Sequence, residues 1–155
     1  MGKQDEQIHY KSTEELYHEL LTASQIGDYL RTNATELTPP DLHLYLQALL
    51  REKKLTRAEV IRRANLETSY GYRLFEGSKN KPGRDKVLAL ALGFHLSVPE
   101  CDKLLKYAGL QELYPRNQRD SIISFGLQKG HGLAEVNQML AELGCPELEL
   151  LRDCL

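Results

Sequence analysis

The sequence predicts an all-α protein. Apolar residues recur at spacings of three and four along nearly the whole chain, and alternating patterns are scarce. Runs of β-branched residues are absent. The chain has 155 residues, 41% hydrophobic and 27% charged, which suits an ordinary globular protein of one domain or one and a half.

Taken in order, Ser12 is placed to cap a first helix, with Glu15 three residues later completing a capping box and Leu16, Leu20 and Leu21 forming its apolar stripe. "IGDYL" (26–30) predicts a second, short helical piece, and "RTNATELTPP" (31–40) a polar loop ending in a proline pair. Asp41 caps a helix through "LHLYLQALLREKK", whose apolar face is Leu42, Leu46, Leu49 and Leu50. "SKNKPGRD" (78–85) is a turn, because Lys, Asn, Pro and Gly together do not continue a helix. "DKVLALALG" and "VPECDKLLKYAG" follow as helices, with Gly93 and Gly109 read as their stops. "YPRNQRD" (114–120) is a polar connector whose Asp120 caps the next helix.

Val87–Leu113 aligns without gaps to Ile122–Leu148 at an offset of 35, with six identical pairs that include Gly109/Gly144 and Leu113/Leu148. This is either an internal repeat or two unrelated helical hairpins with similar stop signals. In both cases the hairpins pack side by side, since one alone cannot bury its apolar face. The organisation expected is an N-terminal helical extension (1–40), a central domain (41–109) and a C-terminal hairpin (110–155).

Composition excludes several classes of function. No apolar run approaches the roughly 18 residues needed to span a bilayer, and the polar start "MGKQDEQIHYKS" carries no secretory signal. Cys101, Cys145 and Cys154 are odd in number and none has CxxC spacing, so neither a disulfide framework nor a zinc site is expected and a reducing cytoplasm fits best. The five histidines have no ligand spacing, and no metal or cofactor is expected. "GLQKGHG" (126–132) lacks the Gly-Lys-Ser/Thr ending of a phosphate loop and follows no strand. No catalytic constellation stands out, so the chain is not read as an enzyme.

Charge is unevenly spread. Residues 1–50 carry three Lys/Arg against eight Asp/Glu, residues 51–86 eleven against five, and residues 87–155 six against nine. A basic block between two acidic ones is the footprint of a module that contacts DNA in a chain whose remainder stays off it.

Within that block lies "LTRAEVIRRANLETSYGYRLFEG" (55–77). Thr56 is an N-cap for a helix from Arg57 to Ala64 with Val60, Ile61 and Ala64 on one face. Asn65 and the apolar Leu66 form a turn, and Glu67 or Thr68 caps a second helix that ends at Phe75 and is stopped by Gly77. Two short helices joined by a tight turn make a helix-turn-helix.

This stretch, with the following "KP" and "DKVLALALGFHLSVPE", resembles the DNA-binding domain of the Xre/Cro (phage-repressor-like) regulators. The resemblance covers about 41–109. It implies a lambda-repressor-like helical domain that dimerises and binds double-stranded DNA at a palindromic operator. It places the reading helix at Thr68, Ser69, Tyr70, Tyr72 and Arg73, puts Arg57 at a phosphate or behind the reading helix, and makes Lys79 and Lys81 phosphate clamps. Arg62 and Arg63 point away.

Three departures from the family pattern stand out. Ile61 occupies a position usually held by Ala, and Gly71 one usually held by a β-branched residue. These two positions face each other in the family, so the pair reads as one volume-conserving exchange. Asn65 replaces the turn glycine and enters the left-handed region at low cost. In addition, Glu67 and Glu76 bracket the reading helix, and the usual Gln at its start is missing. The expectation is therefore a sequence-specific transcriptional regulator. The alternative is an interaction adaptor or antitoxin-like partner that keeps the fold without strong DNA binding, with the acidic N- or C-terminal helices meeting a protein partner.

Overall fold

The computed structural model describes residues 11–37 and 41–148; the polar start, the proline pair and Cys154 lie outside these. Every regular element among the described residues is a helix, ten in all, and none is long and apolar enough to cross a membrane. The chain divides into two compact units, Met1–Pro39 and Pro40–Leu155, so residues 41–109 and 110–148 share the second.

The first unit holds α1 (Thr13–Thr22), α2 (Ile26–Thr32) and α3 (Ala34–Leu37). Ser12 Oγ accepts from Glu15 N at 3.1 Å, the Ser12 half of the expected box. The expected loop at 31–37 is instead helical, because Asn33 organises it. Asn33 is buried, its N–H closes α2 onto Tyr29 O, its amide donates to Glu19 at 2.8 Å and its side-chain oxygen accepts from Lys11 Nζ at 2.8 Å. The Leu16/Leu20/Leu21 stripe does not form a core: Leu20 and Leu21 are exposed.

The second unit contains α4 (Leu42–Lys53), α5 (Arg57–Arg63), α6 (Thr68–Glu76), α7 (Arg84–Gly93), α8 (Val98–Tyr107), α9 (Gln118–Lys129) and α10 (Leu133–Glu142). Helix α7 is its axis. Lys86 to Gly93 are all buried, which accounts for a sequence apolar on every face. Leu42, Leu46 and Leu49 of α4, Val60 and Ile61 of α5, and Leu74 and Phe75 of α6 join it in one core with Leu104 and Leu105 of α8.

Helix ends repeat one device. A left-handed residue follows the last turn, and the next N–H reaches back five residues, as in Leu66 N to Ile61 O (3.1 Å) across Asn65 and Leu110 N to Leu105 O (2.8 Å) across Gly109. At α7 the left-handed residue is His95 (φ 55°), not the expected Gly93. Gly93 is needed for proximity instead: a Cβ there would lie 2.9 Å from Val60 O and 3.3 Å from Ala64 N, so α5 crosses α7 at this point. Two expected caps also differ. Asp41 precedes α4 without a side-chain cap bond. Asn117, not Asp120, caps α9, its Oδ1 accepting from Asp120 N at 2.9 Å.

The segments 84–113 and 119–148 share one backbone plan at an offset of 35. Helices α8 and α10 begin and end in register. His95 and Gly130 are both left-handed, as are Gly109 and Gly144. Leu113 N donates to Asp102 Oδ1 and Leu148 N to Asn137 Oδ1, each at 2.9 Å. The two copies grip each other reciprocally. Arg84 forks onto Asp120 at 2.8 and 3.0 Å, and Arg119 forks onto Asp85 at 2.8 and 3.0 Å. Residue i of one copy meeting j of the other, and j meeting i, is the pattern of a two-fold contact.

Candidate nucleic-acid interface

Helix α6 carries five of the eight residues singled out in the sequence, and three neighbours hold it in place. Against α5, a Cβ on Gly71 would stand 2.7, 2.8 and 2.9 Å from three carbons of Ile61. The Ile61 side chain therefore fills the room that Gly71 leaves, and the two large departures from the expected pattern occupy one contact. From α4, Gln47 Nε2 donates to Phe75 O at 2.9 Å. A Cβ on Gly77 (φ 90°) would meet the His43 ring at 2.7 Å, so the C-terminus of α6 sits tightly on α4. Towards α7, Leu74 and Phe75 are fully buried, and Phe75 meets Phe94 at 6.2 Å between ring centroids.

The opposite face of α6 is open. Ser69, Arg73 and Glu76 are exposed there, Tyr72 is half-buried beside them, and Thr68 is exposed at the first turn. Arg57, exposed at the start of α5, lays its guanidinium 5.1 Å from the centroid of the Tyr72 ring, which joins the two helices along one rim. Arg73 Nη2 donates to Ser69 Oγ at 3.3 Å, so these side chains lie side by side. Beyond the helix, Lys79 N donates to Arg73 O at 3.2 Å, which fixes exposed Lys79 at the end of α6; Lys81 is also exposed. Tyr70 is placed differently. It is half-buried, and its ring lies 3.9 Å from the ammonium of Lys86, a buried lysine near the start of α7. Arg62 and Arg63 are exposed on α5.

The start of α6 is electrostatically self-contained. Glu67 accepts from Ser69 N (3.2 Å), Ser69 Oγ (2.9 Å) and Tyr70 N (3.0 Å). The Ser69 hydroxyl first, and then the two amides, hold its carboxyl below the usual range, so it stays anionic at the positive end of the helix dipole. A phosphate brought to this end would meet a carboxylate rather than free amides.

Sequence reasoning did not find the Tyr70–Lys86 contact or the Arg84/Arg119 exchange. The second had a signal. "RD" occurs at 84–85 and again at 119–120, 35 residues apart, just outside the aligned window. The first had none, because nothing in a lysine's sequence position marks it as buried. Among the described residues, no group of three or more His, Cys, Asp or Glu is placed to hold a metal ion. No family model, no curated protein and no solved structure matches this chain.

Proposed function

We infer that the second unit is a sequence-specific DNA-binding module of the Xre/Cro type, with α5 and α6 as its helix-turn-helix and α6 as the reading helix in the major groove. One observation carries the reading: α6 is locked on its inner face by Ile61, Gln47 and Phe94. Away from that face Ser69 and Arg73 are exposed, as is Thr68 at the first turn, with exposed Arg57 against Tyr72, Lys79 hydrogen-bonded to the end of the helix, and Lys81 exposed in the loop that follows. That is a rigid polar ridge flanked by cations, within a segment of eleven Lys/Arg against five Asp/Glu. In this reading Arg73 meets a guanine edge or a phosphate, Thr68 and Ser69 contact base edges, Arg57 braces Tyr72, and the two lysines hold phosphates. Tyr70 supports the helix from behind.

A second reading, an interaction adaptor, rests on Glu67, whose carboxylate occupies the anion-binding end of α6. Mobility shift against genomic fragments, run beside affinity purification of the tagged chain, separates the two. A DNA reader gives a salt-sensitive specific complex that weakens about 10- to 100-fold for Arg73→Ala and less for Arg57→Ala. An adaptor gives no preferred fragment and a stoichiometric protein partner.

A further inference from the structure

The two segments built on one backbone plan are unequally covered. On the first, Phe75 of α6 packs on Phe94 and Tyr70 on Lys86. Helix α4 stacks Tyr45 on Tyr107, ring centroids 4.1 Å apart, and pairs Lys53 with Glu100 at 2.9 Å. Leu90 and Leu104 beneath them are fully buried. Thirty-five residues on, Phe125 and Met139 stand at these positions, and Leu143 stands where Ala108 does. Among the described residues of the unit nothing plays the part of α4 and α6 there. Phe125 is 49% and Leu143 57% exposed. With Gln118, Ser121, Ile122 and Met139 they form an open groove of about 340 Å³, lined almost wholly by apolar atoms.

Charges flank the groove on both helices: on α9 Lys129 Nζ lies 5.5 Å from the centroid of the Phe125 ring, and on α10 two carboxylates sit beside the lining residues. The counterpart of Glu100 is Glu135, largely exposed and 3.7 Å from His131 Nε2. The counterpart of Tyr107 is Glu142, which accepts from Gln138 at 3.0 Å. Helix α10 thus sets two carboxylates two turns apart along one edge, one of them where the covered segment pairs a lysine.

We propose that the α9–α10 groove seats an amphipathic helix of a partner protein, apolar on one face and carrying two cationic side chains about two turns apart that meet Glu135 and Glu142. Helix-in-groove recognition of this kind needs an apolar trough and a charged rim that fixes direction. A second copy of the chain is disfavoured as occupant, because groove-to-groove pairing brings four carboxylates to one seam. The proposal stands independently of whether α6 reads DNA.

The internal equivalence supplies the probe: a synthetic peptide of residues 41–54, the helix that covers the first segment, and the same peptide carrying Tyr45→Lys, which sets a cation opposite Glu142. Each is titrated into the ¹⁵N-labelled full chain. Isolated helices of this length are marginal in water, so binding is expected at roughly hundred-micromolar concentrations. The expected result is saturable shifts confined to α9 and α10, with the Tyr45→Lys peptide binding about two- to fivefold tighter, the scale of an exposed ion pair. Phe125→Asp removes the apolar contact and weakens both peptides at least about tenfold without loss of helical circular dichroism. Glu135→Lys weakens binding about two- to fivefold, and Lys53→Glu in the peptide restores it. The proposal is overturned by an absence of saturable binding, by shifts at α8 instead of α9 and α10, or by a chain dimer that Phe125→Asp dissolves, since a second copy would then be the occupant.

Discussion

Replacing Gly71 by Ala tests how α6 is held. In an ordinary helix the change stabilises by about 1 kcal/mol, because glycine costs that much propensity. Here the new methyl would lie 2.7–2.9 Å from three carbons of Ile61, which is itself buried. A Cβ does not approach another carbon that closely, so Ile61 must leave its rotamer or α6 must move off α5, and overpacking of this kind costs about 1–3 kcal/mol. The net expectation for Gly71→Ala is a loss of about 0–2 kcal/mol. Ile61→Ala alone costs about 2–5 kcal/mol through lost burial and the cavity left behind. In the double variant the obstruction is gone and the propensity gain returns, so Gly71→Ala becomes stabilising by about 1 kcal/mol in that background. The cycle then shows a coupling of about 1–3 kcal/mol, well outside the ~0.5 kcal/mol within which independent sites add. Urea unfolding followed by circular dichroism at 222 nm measures all four chains. If Gly71→Ala stabilises the unaltered chain and the Ile61→Ala chain equally, the two residues are not one packing unit and the account of α6 placement fails.

Two further outcomes follow from charged contacts. Arg84→Ala leaves the Asp120 carboxylate, 6% exposed, without its guanidinium, and is expected to cost about 2–3 kcal/mol in urea unfolding. Asp85→Asn, on the better-solvated side of the exchange, should cost less, and equal losses would mean that the two forks are not distinguished by burial. For Glu100, burial opposes the charged form, but the Ser97 N–H and Lys53 hold its carboxyl below the usual 4.5. The folded state then binds fewer protons than the unfolded one near that pH. The contribution is present above 4.5 and is lost as pH falls through the depressed value. Glu100→Gln should therefore flatten the acid limb of stability as pH falls below 4.5, and an unchanged acid limb would remove Glu100 from the account.

The helical class and the central elements were legible because their signals are local. Thr56 accepts from Glu59 N at 3.2 Å as an N-cap should, and Asn65 takes the left-handed turn at φ 52°. The Ile61–Gly71 contact was legible only as a paired departure from a family pattern, and distances were needed to show that one side chain fills the other's space. Tertiary contacts overrode local signals elsewhere. Gly93 reads as a helix stop, yet it is the last residue of α7, and it is glycine because α5 backbone passes where a Cβ would be. Asn33 turns a polar stretch into helix through bonds to Lys11 and Glu19, 22 and 14 residues away. Asp120 reads as a cap, but its carboxylate is taken by Arg84 and Tyr114 N, leaving the cap to Asn117.

At the candidate interface, two exposed positions followed from helical periodicity, since Ser69 and Arg73 fall opposite Gly71, Leu74 and Phe75, whereas Thr68 shares the Phe75 side and is exposed because it begins the helix. Tyr70 did not, because the partner that draws it inward, Lys86, is a charged residue that sequence rules place at the surface.

The central claim, that α6 reads DNA, is tested most directly by selecting bound duplexes from a random-sequence pool with the full chain and with Arg73→Ala. The account predicts one enriched motif for the unaltered chain. Arg73→Ala should relax preference at one position of that motif, and Lys79→Ala should weaken all sequences alike and lower the salt slope by about one. A pool that stays random through successive rounds, or a motif and an affinity both untouched by Arg73→Ala, would contradict it.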